Sequence, residues 1–224
     1  MIMKWAAAAA AAALALSLPS ATAHAAGQRP GAPQIVPIGV AVSALQLAAE
    51  DRTGYQRTSF RHWNAGELPS DGCNTRMEVL LAEAVEYPEI GPGCTLTGGL
   101  WWSYYDNTTT NEARAFDIDH LVPLAEAWDS GASAWTPARR EAYANDQGQA
   151  SSLVAVSARS NRQKADQDPA QWLPSSADAL CRYGAEWTAT KLRWGLAVDE
   201  AERDRLLGIA AGCGGTDVEF TPAP

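Results

Sequence analysis

The chain has 224 residues, and its 26 Asp and Glu against 17 Lys and Arg give a net charge of −9. That balance excludes the broad basic surface on which non-specific nucleic-acid affinity usually rests, and it supports solubility. The length suits one domain around a single sizeable core.

The N-terminus reads as an export leader over residues 1–25. Lys4 supplies the positive start, Trp5 to Leu18 the apolar run, and Ala21-Thr22-Ala23-His24-Ala25 two overlapping small-x-small cleavage sites. Beyond the leader no stretch is long and apolar enough to cross a membrane, so a soluble exported monomer is expected. Without Lys4 the mature chain carries 16 basic residues against 26 acidic ones. All four cysteines (Cys73, Cys94, Cys181 and Cys213) lie in the exported part, where an even count argues for two disulfides. Three pairings are open, and Cys73–Cys94 with Cys181–Cys213 is favoured because each closes a short loop.

Residues 26–39, rich in Pro, Gly and Gln, are expected to be disordered, and 215–224 to form a flexible tail. The single domain then spans 40–214. Within it, Val40 to Glu50 has helical spacing. Asn74 to Tyr87 predicts a stronger helix, with Met77, Leu80, Leu81, Ala84 and Val85 along one side and Pro88, Gly91 and Pro92 as stops. Leu100–Tyr105 and Ala113–Leu121 flank a polar loop and predict a hairpin. Thr136-Pro137 opens a helix to about Ala144. Leu153–Ser157 predicts a short apolar strand and Ala158–Asp166 a helix. Two further helices, Asp178–Leu196 and Asp199–Ala211, close the chain.

Chemistry concentrates in Phe116-Asp117-Ile118-Asp119-His120-Leu121-Val122-Pro123 and, some forty residues on, Ser160-Asn161-Arg162-Gln163-Lys164. Asp119 offers a charged oxygen and Asn161 a neutral one, the hard-ligand chemistry that Mg²⁺ or Mn²⁺ prefers. His120, with an ordinary pKa near ~6.5, suits a general base near neutrality. His62 has no partner nearby in sequence and reads as structural. So do most of the tryptophans, Trp128, Trp172, Trp187 and Trp194 among them.

Asp-x-Asp-His-hydrophobic-x-Pro followed by Ser-x-Asn-Arg-x-Lys resembles the HNH (His-Me finger) endonucleases. The wording from Val122 to Trp128 and from Lys164 to Pro174 is similar to their small secreted bacterial members. The resemblance runs from about Cys73 to Trp194. It implies an α+β fold in which a ββα-metal core is embedded among helices and stabilised by disulfides. It also implies an endonuclease with DNA ahead of RNA as substrate and one Mg²⁺ or Mn²⁺ ion, and the few basic residues with no recognisable sequence-reading module predict little sequence preference. In that scheme His120 is the base, Asp119 and Asn161 hold the ion, Asp117 orients a ligand, and Lys164 and Arg162 meet phosphate. Where many members carry a bracing Asn before the second strand, this chain has Ser151-Ser152, which puts the rigidity of that loop in doubt. A secreted scaffolding protein on an inactive finger is the rival reading. One tension is physical: neighbouring strand residues point to opposite faces, so Asp119 and His120 share a site only at a strand end or a bend.

Overall fold

The computed structural model describes residues 31–224; the leader expected at 1–25 lies outside the described residues. The elements run β1 (Gln34–Pro37), α1 (Ile38–Ser43), α2 (Thr75–Ala82), β2 (Glu89–Gly91), β3 (Thr95–Thr97), β4 (Trp101–Ser103), β5 (Thr108–Thr110) and β6 (Phe116–His120). They continue with α3 (Leu124–Asp129), α4 (Pro137–Ala144), β7 (Leu153–Ser157), α5 (Ala158–Lys164), α6 (Leu180–Trp194), α7 (Glu200–Gly212) and β8 (Asp217–Phe220). Helices and strands are mixed, and the strands form four antiparallel pairs: β1–β8, β2–β3, β4–β5 and β6–β7.

Local chemistry sets many of the boundaries. Asn74 caps α2 by accepting the Met77 N–H, Thr136 caps α4 ahead of Pro137, Ser157 caps α5, and Asp199 caps α7. Gly195, at φ 66°, supplies the left-handed residue that ends α6.

The β6–β7 ribbon is the centre of the molecule. Its Phe116, Ile118, Leu153 and Ala155 pack with Val79 and Leu80 of α2 and with Trp101, while Val154 and Val156 face the larger core. That larger core is aromatic, with Phe60, Tyr104, Tyr105, Tyr143, Tyr183, Trp187 and Trp194 buried together. With both faces covered, every residue of β7 is buried, which explains why Leu153–Val156 reads as an apolar run before the capping Ser157.

Several expectations change. The hairpin between 100–105 and 113–121 does not form. Trp101–Ser103 pairs instead with Thr108–Thr110, and Phe116–His120 pairs with Leu153–Ser157. The polar loop is the cause, because it turns back at Asn107 (φ 54°) and sends the Asp106 carboxylate to the hydroxyls of Ser157 and Ser160. The helix expected to Tyr87 ends at Ala82, since Val85 and Glu86 are drawn into backbone bonds with Leu100. The helix expected to Glu50 stops at Ser43, and Leu47 bridges to Val198 instead. Both expected tails contribute strands: Gln34–Pro37 and Asp217–Phe220 pair with each other, and Val218 and Phe220 enter the core.

The favoured disulfides are present. Cys73–Cys94 (Cα–Cα 5.0 Å) ties the start of α2 to the turn after β2, and Cys181–Cys213 (5.5 Å) ties α6 to the end of α7. Among the described residues no cysteine is free, and no helix is long and apolar enough to cross a membrane.

Two buried carboxyls make stability depend on pH. Burial pushes Glu83 and Glu202 up to about 8 from an ordinary 4.5. The folded chain therefore binds more protons than the unfolded chain between those values. The associated stability is complete below the unfolded pKa and is lost as pH rises through about 8. The melting temperature is expected to fall between about pH 6.5 and 8.5. A midpoint that stays level or rises over that range in scanning calorimetry would contradict it.

Candidate active site

Asp119, His120 and Asn161 line one cavity of about 260 Å³, together with Arg57, Arg162, Asp166 and the Pro123-Leu124 turn. The cavity sits where β6 ends and α3 begins, so residues from both faces of the strand can reach it. This resolves the alternation tension. α5 follows β7 without a gap and packs against both strands, bringing Asn161 and Arg162 to the same opening.

Asp119 is buried, and its oxygens are engaged. Tyr105 Oη donates to Oδ2 at 2.7 Å, and Lys164 Nζ lies 3.0 Å from Oδ1 and 2.8 Å from Oδ2. Lys164 has no exposed surface and also donates to the His120 carbonyl at 3.2 Å. Burial pushes the Asp119 carboxyl up and the Lys164 ammonium down, each opposed by the charge of the other. The phosphate contact expected of Lys164 therefore gives way to a buried role. Lys164 lies one turn on from Asn161 on the same side of α5, where Asp119 and the His120 carbonyl receive its ammonium.

Asn161 is half-buried, and its Nδ2 donates to Asp117 Oδ2 at 3.4 Å, which orients the amide and leaves Oδ1 without a hydrogen bond among the described residues. Asp117 also pairs with Arg162 at 3.4 Å, beside the opening. The donor set offers a small hard cation one carboxylate, one amide oxygen and a second carboxylate adjoining. Lys164 counts against tight binding, because its charge already satisfies part of Asp119.

His120 is held on one edge. Its Nε2 lies 2.9 Å from the Ala144 carbonyl, and a carbonyl can only accept, so Nε2 carries the proton and Nδ1 keeps the free lone pair. Burial pushes the ring down to about 3, with the charges of His62, Arg57 and Lys164 adding to the effect and the Ala144 bond opposing it. The ordinary value near ~6.5 assumed from sequence thus does not hold in this pocket. The ring is neutral across the neutral range because a buried imidazolium is poorly solvated.

The doubt over Ser151-Ser152 finds an answer here. Ser152 Oγ donates to Asp146 at 2.6 Å, and Asp146 also accepts two bonds from Arg193 (2.7 and 2.8 Å) and one from Trp194 Nε1 (2.9 Å). The loop before β7 is braced from α6 by a buried ion pair, with no need of an Asn at its end.

Sequence reasoning missed Arg57, Asp166 and Tyr105 as site residues, and it set His62 aside. His62 bonds the Phe60 carbonyl through Nδ1, as a structural histidine does, but its ring lies 5.9 Å from His120. Tyr105 was concealed in an aromatic run, and Arg57 belongs to a segment with no motif. Neither carries a local signal of its position.

Residues 95–209 match the family described as GmrSD restriction endonucleases, C-terminal domain. A protein of Arthroderma benhamiae, named "Uncharacterized secreted protein", is 38% identical over 160 residues, covering 71% of this chain and 76% of that protein. No solved structure matches the chain.

Proposed function

Because the chain belongs to the family of the GmrSD restriction endonuclease C-terminal domain, an HNH-type nuclease family, we propose that it is a secreted, metal-dependent endonuclease of nucleic acid, with DNA ahead of RNA. The observation that carries this reading is the meeting of Asp119, His120 and Asn161 on one small cavity, with Nδ1 of His120 as the free base. β6, β7 and α5 form the ββα finger. Export by the leader over 1–25 agrees with two disulfides and with a relative named as secreted.

His120 takes a proton from the attacking water through Nδ1, while the Ala144 carbonyl holds Nε2–H and so fixes the tautomer. An arriving phosphate places negative charge beside the ring, which favours the imidazolium and raises the proton affinity that burial had lowered. Asp119 and Asn161 would hold a Mg²⁺ or Mn²⁺ ion, with Asp117 orienting the Asn161 amide. Such an ion, when bound, supplies positive charge to the phosphoryl and leaving oxygens. Arg57 and Arg162 line the same cavity and are the cations placed to meet phosphate. So few contacts leave no means of reading base edges, so little sequence preference is expected.

The test is nicking of supercoiled plasmid, with an RNA substrate beside it, in Mg²⁺ or Mn²⁺ and in EDTA. Cutting that EDTA abolishes is the expected result. No cutting in either ion would leave the inactive scaffold as the reading.

A second expectation separates holding the ion from chemistry. Asp119→Asn and Asn161→Ala should each shift half-activation to higher Mg²⁺, with the Asp119 change larger because it removes charge. Asparagine is preferred to alanine at 119 because it keeps a partner for the buried Lys164. Wild-type metal titrations in both variants would discard the ligand set.

A further inference from the structure

The finger is not all that surrounds His120. A segment from much earlier in the chain, outside the family match, closes over the ring. Trp63 stacks on it with ring centroids 5.3 Å apart and planes 29° apart, and His62 meets it edge-on at 5.9 Å. The Trp63 backbone is left-handed, at φ 60°. A bulky side chain holds that conformation only where its surroundings over-determine it.

The surroundings do so. The Asn64 N–H donates to Asn145 Oδ1 at 2.9 Å, its carbonyl accepts the Thr75 N–H at 2.9 Å, and its Nδ2 donates to Glu141 at 2.9 Å. Asn145 Nδ2 in turn donates to the Arg61 carbonyl at 2.9 Å. Asn145 adjoins Ala144, whose carbonyl fixes the other side of the imidazole. One side chain therefore ties together the two supports of His120, the carbonyl at its edge and the indole on its face.

We propose that Trp63, clamped through Asn145, is a positioning residue for His120, holding the ring plane so that Nδ1 is the nitrogen offered to the cavity. The proposal rests on the reading of His120 as the base. Trp63 also packs against the cluster of Val79, Leu80 and Trp101, so a loss of activity alone would not separate positioning from folding. The test therefore includes measurements that general destabilisation does not move.

Trp63→Leu, Trp63→Phe and Asn145→Ala are compared with wild type and with His120→Ala in plasmid nicking. The tautomer of His120 is read at one fixed pH by long-range ¹H–¹⁵N NMR on histidine-labelled protein. Misplacing a reacting group by about 1 Å costs about 10²-fold. The Leu variant should accordingly lose about 10–100-fold in kcat with KM little changed. Phe, which keeps a stacking face, should restore most of the loss. In the Leu variant His120 should pass from one tautomer to a mixture. Asn145→Ala frees the segment with both rings in place and should show the same loss and mixture, so it decides the matter if Trp63→Leu does not fold. A single unchanged tautomer in the variants that fold overturns the proposal. Wild-type kcat in them does the same, provided His120→Ala is inactive. Activity retained by His120→Ala would instead overturn the assignment of the base, and the tautomer measurement would still decide what Trp63 does.

Discussion

Replacing His120 by alanine is expected to lower cleavage by about 10²–10⁴-fold, the usual contribution of a positioned general base. Its basis is geometric: His120 is the titratable side chain at the cavity with a free lone pair on nitrogen, and its other nitrogen is committed to Ala144. The fold should survive, since the change removes one hydrogen bond and a stacking contact but leaves the β6–β7 register and the neighbouring ion pairs intact. Circular dichroism checks the fold. The Mg²⁺ concentration for half-activation should stay near that of wild type, because Asp119 and Asn161 are untouched. A variant cutting within about threefold of wild type would remove His120 from the mechanism.

The largest expected effect on stability lies deeper. Lys191 has no exposed surface, and its Nζ lies within hydrogen-bonding distance of Glu126 (2.8 Å), Glu202 (2.6 Å), Ser130 Oγ (2.9 Å) and the Ala197 carbonyl (2.8 Å), four acceptors sharing three protons. Burial opposes ionisation of both carboxyls. The Lys191 charge nevertheless holds Glu126 below its usual range, while Glu202 remains high. Lys191→Met keeps the volume and removes the charge, leaving Glu126 uncompensated. The loss should be about 3–5 kcal/mol, as for other buried pairs broken from one side. At roughly 2–4 °C per kcal/mol for a domain of this size, the melting temperature should fall by about 6–20 °C. Adding Glu126→Gln should recover much of that loss, since it removes the stranded charge. A shift under about 2 °C for Lys191→Met would mean that water reaches the pair. Lys191 and Lys164 both lie against Trp187, at 5.7 and 5.8 Å from its ring, so the core that holds α6 also supports the lysine beneath Asp119.

What the sequence determined by itself was whatever chemistry between near neighbours decides. Asn74, Thr136 and Asp199 cap their own helices, and Leu153–Val156 is apolar on both faces that a buried strand presents, whereas the choice among three cysteine pairings was made by the structure, which holds the favoured Cys73–Cys94 and Cys181–Cys213. The motif residues Asp119, His120 and Asn161 stood out in the sequence by their types and spacing, and the fold brings the three to one cavity. Tertiary structure decided what depends on distant partners. Phe116–His120 had two plausible mates, and the one 33 residues beyond it won because Asp106 turned the nearer strand aside toward Ser157 and Ser160. Lys164 is expected at phosphate until Asp119 and the His120 carbonyl are brought to it. Trp63 reads as an isolated aromatic until Asn145, more than eighty residues later, clamps its neighbour and turns it onto His120. A local pattern fixes which face of an element is apolar, but not which distant element will cover it, because that choice rests on the packing of the whole core.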